Sequence, residues 1–201
     1  MNAFVSKSVF SLALSLMLAT PALASVKYSL DQTHLNVGFK IQHLVVSSVK
    51  GRFNKAEGTF TFDEKAGKVK GLDVTIDTAS IDTNNKDRDD HLRNQDFFDV
   101  TKPANKTIKF VAKEFAAKPG QEVTVNGDLT IKGVKKPVTL KGKFIGKTKN
   151  PFNQKDKVGF ELSGKINRKD FGLTWNKVLE AGGVAVGEEV EILIDGEADS
   201  I

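Results

Sequence analysis

The chain has 201 residues, no cysteine, and 30 Lys and Arg against 25 Asp and Glu, a net charge of +5. The missing thiols exclude disulfide staples, a thiol nucleophile, a thiolate metal site and a lipidated-cysteine anchor. The positive charge is carried mainly by scattered lysines rather than clustered arginines, so no nucleic-acid partner is expected, and only a weak, transient contact with anionic membrane surfaces is compatible with it.

The chain opens with Lys7, an uncharged apolar run from Phe10 to Leu18, then Pro21 and Ala22-Leu23-Ala24. This is the pattern of a secretory signal peptide cleaved after Ala24, so residues 1–24 are read as a leader and residues 25–201 as one exported domain. From His34, Leu35, Val37, Phe39, Ile41 and His43 share one parity. The alternation of a strand puts them on one face, so His43 points where the aliphatic residues point. Gly51 and Phe53, then Gly58, Phe60 and Phe62, then Val74 and Ile76 continue the pattern, with a phase slip near Gly71 that suggests a bulge.

Residues 82–94 break the period of two. Thr83 or Asn84 is expected to cap a short helix with Asp87, Asp89 and Asp90 in its first turns, docked by Leu92, Phe97 and Phe98. Alternation returns at Ile108 and Phe110. The clearest hairpin follows, with Val123, Val125, Leu129 and Ile131 on one arm, a break over residues 133–137, and Val138, Leu140 and Phe144 on the other. Val158, Phe160, Leu162 and Ile166 form the next strand, residues 170–187 are irregular, and Val190, Ile192 and Ile194 belong to the last. Eight to ten long, sequentially adjacent strands with one apolar face suit an all-β, closed up-and-down barrel whose bends fall at inward glycines. An eight-stranded barrel is either filled by its side chains or holds one small ligand.

Chemistry-bearing motifs are sparse. The 3 His show no metal-ligand spacing, so no metal is expected; the acidic run at residues 82–90 lacks the glycine of a calcium loop. Nucleophile elbows, phosphate loops and dinucleotide fingerprints are absent from the sequence, so no catalytic residue is assigned and no cofactor is expected. The 14 Phe against 1 Tyr and 1 Trp would give a cavity a greasy wall suited to a long hydrocarbon.

The strings DQTHLNVGFKIQHL, SSVKGRF with EGTF, IDTNNKDRDDHLRNQDFFDV, VNGDLTIKGVKKPVTL, INRKDFGLTWN and GEEVEILIDGEA occur in that order. Together they resemble the YceI-like family of lipocalin-like, polyisoprenoid-binding proteins, from about Tyr28 to Ala198. Leu35 stands where the family usually has Ser. The resemblance implies an extended eight-stranded antiparallel barrel with a short helical insertion, exported to the periplasm, holding a polyisoprenoid, quinone-like or similar lipid lengthwise and acting as a monomer or homodimer. On this reading the tail contacts Val37, Phe39, Ile41, Phe60, Phe62, Val74, Ile76, Phe110, Val125, Leu129, Leu140, Phe144, Phe160 and Leu162. The polar head is assigned to His43, Arg88, Arg93 and Arg168. Two alternatives stand beside this binding role: an enzyme acting on an isoprenoid- or quinone-like substrate with His43 and a carboxylate as acid and base, and a filled barrel serving as a stress-response interaction module.

Overall fold

The hairpin that reads most clearly in the sequence is formed by β7 (Gln121–Ile131) and β8 (Val134–Lys149). Lys132 and Gly133, with φ of 50° and 76°, make its two-residue left-handed turn, the type whose twist matches that of the flanking strands. The break is therefore shorter than residues 133–137, and Pro137 lies inside β8 opposite Asp128. The proline is tolerated because its missing N–H faces away from β7, and pairing on that side begins only at Lys141.

The computed structural model describes residues 25–180 and 182–201, so the leader expected over residues 1–24 lies outside the described residues. The other strands are β1 (Val26–His43), β2 (Ser47–Phe53), β3 (Ala56–Asp63), β4 (Lys68–Asp77), β5 (Ile81–Asp82), β6 (Thr107–Ala116), β9 (Asp156–Asn167) and β10 (Val186–Ser200). β1 carries three partners. Its start pairs with β3, Tyr28 opposite Phe60; its end pairs with β2, Phe39 opposite Gly51; its other edge pairs with β10, Ile41 opposite Val190. β2 and β3 thus follow one another along one barrel position, as do β4 and β5. The ten segments make a closed, eight-stranded antiparallel barrel of up-and-down connectivity.

Inward glycines admit the rings of their neighbours. A Cβ on Gly127 would lie 2.5 Å from Phe110 Cζ and 2.7 Å from the Val111 carbonyl oxygen. Gly71, with φ of 62°, marks the expected phase slip, where the register of β3 against β4 shifts between Thr59 and Thr61.

Helix α1 (Lys86–Arg93) interrupts the barrel between β5 and β6. Its cap is Asn85, whose side-chain oxygen accepts the Arg88 N–H at 3.0 Å. Neither residue expected at this place takes the role: Asn84 is left-handed with φ of 60°, and Thr83 is buried, held by Asp89. One end of the barrel is plugged. Tyr28 stacks on Phe60 at 5.4 Å between ring centres and meets Phe62 edge-on, and Phe62 reaches across to Phe144 at 5.1 Å. Near this end Lys147 bridges Glu64 at 2.6 Å and Asp156 at 3.1 Å.

Candidate functional site

Side chains on the inward face of the barrel do not meet at its centre. They enclose a cavity of about 580 Å³. Val37, Phe39 and Ile41 face it from β1, Phe60 from β3, Val74 and Ile76 from β4, and Phe110 from β6. Val125 and Leu129 on β7, Leu140 and Phe144 on β8, and Phe160 and Leu162 on β9 complete the set expected for a tail. Phe62 is the exception. It is 2% exposed and spent in the aromatic plug, off the cavity wall. Val123 and Ile131 on β7 both face the cavity, and at ~3.3 Å per residue with a tilt of ~40° they stand roughly 20 Å apart along the axis.

Polar lining is confined to the end opposite the plug. Gln42 and His43 reach it from the end of β1, Asp87, Arg88 and His91 from α1, and Arg168 from the 3-10 turn Arg168–Phe171 after β9. His91 stands edge-on to Phe97 and to Trp175, at 5.1 and 5.0 Å between ring centres, and its Nε2 lies 2.9 Å from Asp96 Oδ2. Helix, aromatic rings and the loop after the 3-10 turn therefore frame a mouth with apolar and polar sides.

The four residues expected at the head group differ in what their polar atoms already do. His43 lines the mouth with no side-chain hydrogen bond to another described residue. Arg88, which lines the cavity, donates from Nε to Thr83 Oγ1 at 2.7 Å and from Nη2 to the Thr83 carbonyl at 2.8 Å. The Thr83 hydroxyl in turn donates to Asp89 at 2.6 Å, which fixes the guanidinium. Arg93 does not reach the cavity. It staples α1 to the preceding segment, donating to the carbonyls of Ala79 at 2.8 Å and Ile81 at 2.7 Å and to Asp90 at 3.0 Å. Arg168 is 3% exposed and donates to the carbonyls of Leu173, Val186 and Gly187. Burial holds its guanidinium below the ordinary arginine value, against the pull of Glu188. It fastens the mouth loop to β10 while turning one side to the cavity.

Asp87, His91 and Trp175 also frame the mouth and were not assigned to the site from the sequence. The signal was there for the first two: His91 sits four residues after Asp87 and three after Arg88, so it neighbours both on the helix surface. Trp175 had none, because the segment around it is irregular.

Outside the barrel, the bulge between Leu30 and Leu35 turns Asp31 and His34 toward β9 and β10. Lys157 Nζ lies 2.8 Å from Asp31, 2.9 Å from Glu197 and 3.0 Å from Asp199, and His34 Nδ1 lies 2.8 Å from Asp31. Ligand atoms of Asp31, His34 and Glu197 converge within 4.8 Å, but the Lys157 ammonium already supplies their cation. Burial disfavours charge on both Asp31 and Lys157. Their hydrogen bonds outweigh it, holding the Asp31 carboxyl well below and the Lys157 ammonium well above their usual ranges.

The family model described as the YceI-like domain matches residues 28–198. The chain is 43% identical over 161 residues to Protein YceI of Shigella flexneri, covering 79% of this chain and 82% of that protein. It is 40% identical over 190 residues to Protein YceI of Salmonella newport, with 94% of each covered. The crystal structure of the Campylobacter jejuni YCEI protein superposes with a TM-score of 0.66 at 36% identity, covering 85% of this chain and 95% of that one. A polyisoprenoid binding domain from Saccharophagus degradans shares the fold, with a TM-score of 0.61 at 16% identity over 88% of this chain and 99% of its own. The chain thus belongs to the YceI-like family.

Proposed function

We propose that the protein is a periplasmic carrier that holds a long polyisoprenoid or similar amphiphilic lipid in its barrel, tail toward the plug and head at the mouth. The observation that carries this reading is the segregation of the lining: an apolar tube with every polar lining side chain at one end. The polyisoprenoid-binding description of the Saccharophagus degradans relative agrees with it. A filled barrel is disfavoured by the volume left open, and among the described residues the His43 side chain makes no hydrogen bond to a carboxylate. The leader-like sequence of residues 1–24 supports the export in this reading.

Each five-carbon prenyl unit moved out of water contributes about 4 kcal/mol, so a long tail binds at the practical ceiling of noncovalent affinity. The true competitor is a bilayer, which solvates the tail equally well. Selectivity must come from fit along the tube and from the mouth. Delipidated protein titrated with polyprenyl alcohols of increasing length should show affinity that climbs with each unit until the tube is full and then levels. Affinity indifferent to chain length would remove the carrier reading.

A further inference from the structure

We infer that the rim of the cavity mouth is a membrane-docking collar through which a lipid enters and leaves without crossing water; the inference rests on the carrier reading. The turn between β1 and β2 exposes Leu44, Val45 and Val46, and the loop before β10 exposes Val178 and Val184. Val46 is 86% and Val178 78% exposed, a cost in water that single scattered aliphatics also bear, but here the residues gather at one opening.

The two loops are one surface. The Leu44 N–H donates to the Ala185 carbonyl at 2.9 Å, and Val45 Cγ2 closes over Gly183 so tightly that a Cβ there would meet it at 3.0 Å. Val178 and Val184 pair as an antiparallel bridge, and the Leu179 N–H reaches the Gly183 carbonyl at 3.1 Å. Leu44 and Val45 hold φ of 51° and 64°, values that a β-branched valine seldom adopts.

The occupant follows from continuity. His43 and Ala185 line the cavity and are the chain neighbours of Leu44 and Val184, so the apolar rim is the outward extension of the cavity wall. A hydrocarbon too insoluble to travel through water has a bilayer as its source, and a rim that enters the interface joins the two apolar phases.

The test compares the mature protein with Val46→Glu/Val178→Glu, neither residue being part of the cavity wall. Flotation on vesicles of phosphatidylethanolamine and phosphatidylglycerol reads docking. Solanesol, a long polyprenyl alcohol, is offered from those vesicles or from detergent micelles to read uptake. Vesicle binding and vesicle-to-protein transfer should fall at least about ten-fold in the variant, the factor that one valine-sized burial carries, while uptake from micelles stays unchanged. Equal flotation of the two proteins overturns the inference. So does sedimentation that shows a dimer split by the glutamates with flotation intact, which would make the rim an interface between copies. If neither protein takes solanesol from micelles while the flotation difference persists, docking stands and the carrier reading falls.

Discussion

Placing a carboxylate deep in the tube, at its plugged end, separates lipid storage from every role that leaves the interior unused. Phe160 on β9 faces the cavity opposite Phe144 and beside Gly196, and the polar lining residues are all at the mouth. From Phe160 to Arg168 the chain runs roughly 20 Å along the tilted strand, too far for a counter-ion. In Phe160→Glu the carboxyl of the empty cavity titrates no lower than the free value of about 4.3, because its apolar surroundings raise it, so the cost that follows is an upper bound. A bound tail expels the water around it, and at pH 7 the cheapest response is to protonate the carboxyl, costing about 3.7 kcal/mol or about 500-fold in affinity. The cost shrinks about ten-fold per pH unit on acidification, so most of the binding should return by pH 5. Phe160→Leu should bind near wild-type. Solanesol titration followed by tryptophan quenching at pH 7, 6 and 5, with circular dichroism to confirm the fold, measures this directly. Wild-type affinity at pH 7, or a loss independent of pH, would refute the placement of the tail.

Three further outcomes follow from the architecture. Gly127→Val drives a side chain into Phe110 and the Val111 carbonyl and should lower stability by about 1–3 kcal/mol in a urea titration; an unchanged midpoint would show that β6 and β7 yield freely. Arg168→Met strips the carbonyls of Leu173, Val186 and Gly187 of their donor and should cost about 3 kcal/mol, with faster deuterium exchange over residues 173–187; unaltered exchange would mean that the loop is held by other contacts. Asp31 titrates below its unfolded value when folded, so its contribution is full above about pH 4 and fades as pH falls toward the folded value. Lys157 titrates above its unfolded value, so its contribution is full below about pH 10 and fades as pH rises through the folded value. The urea midpoint of the wild-type should therefore drop at both extremes. Lys157→Met should flatten both limbs relative to wild-type, and parallel curves would disprove the coupling.

The barrel was legible because it rests on period two: inward residues such as Val125, Leu129, Leu140 and Phe160 declare themselves by parity, and parity does not depend on distant partners. Phe62 shares that parity but lies where β3 and β8 converge at the plugged end, and alternation carries no information about depth along the axis. Arginine roles were opaque for a different reason. Arg93 and Arg168 are consumed by main-chain carbonyls of residues remote or irregular in sequence, and nothing in a linear pattern marks a carbonyl as unsatisfied. The cap shifted to Asn85 because Thr83, an equally good capping residue in isolation, is claimed by Asp89. That the barrel is hollow was likewise invisible, since the same alternation serves a filled interior.

The most direct measurement is native mass spectrometry of the mature protein purified from its own host, with extraction and identification of whatever lipid travels with it. A stoichiometric polyprenyl or quinone-like species, lost on organic extraction and regained on adding it back, is the predicted result. An empty protein that also refuses added polyprenyl lipids would contradict the account and leave the cavity without its proposed cargo.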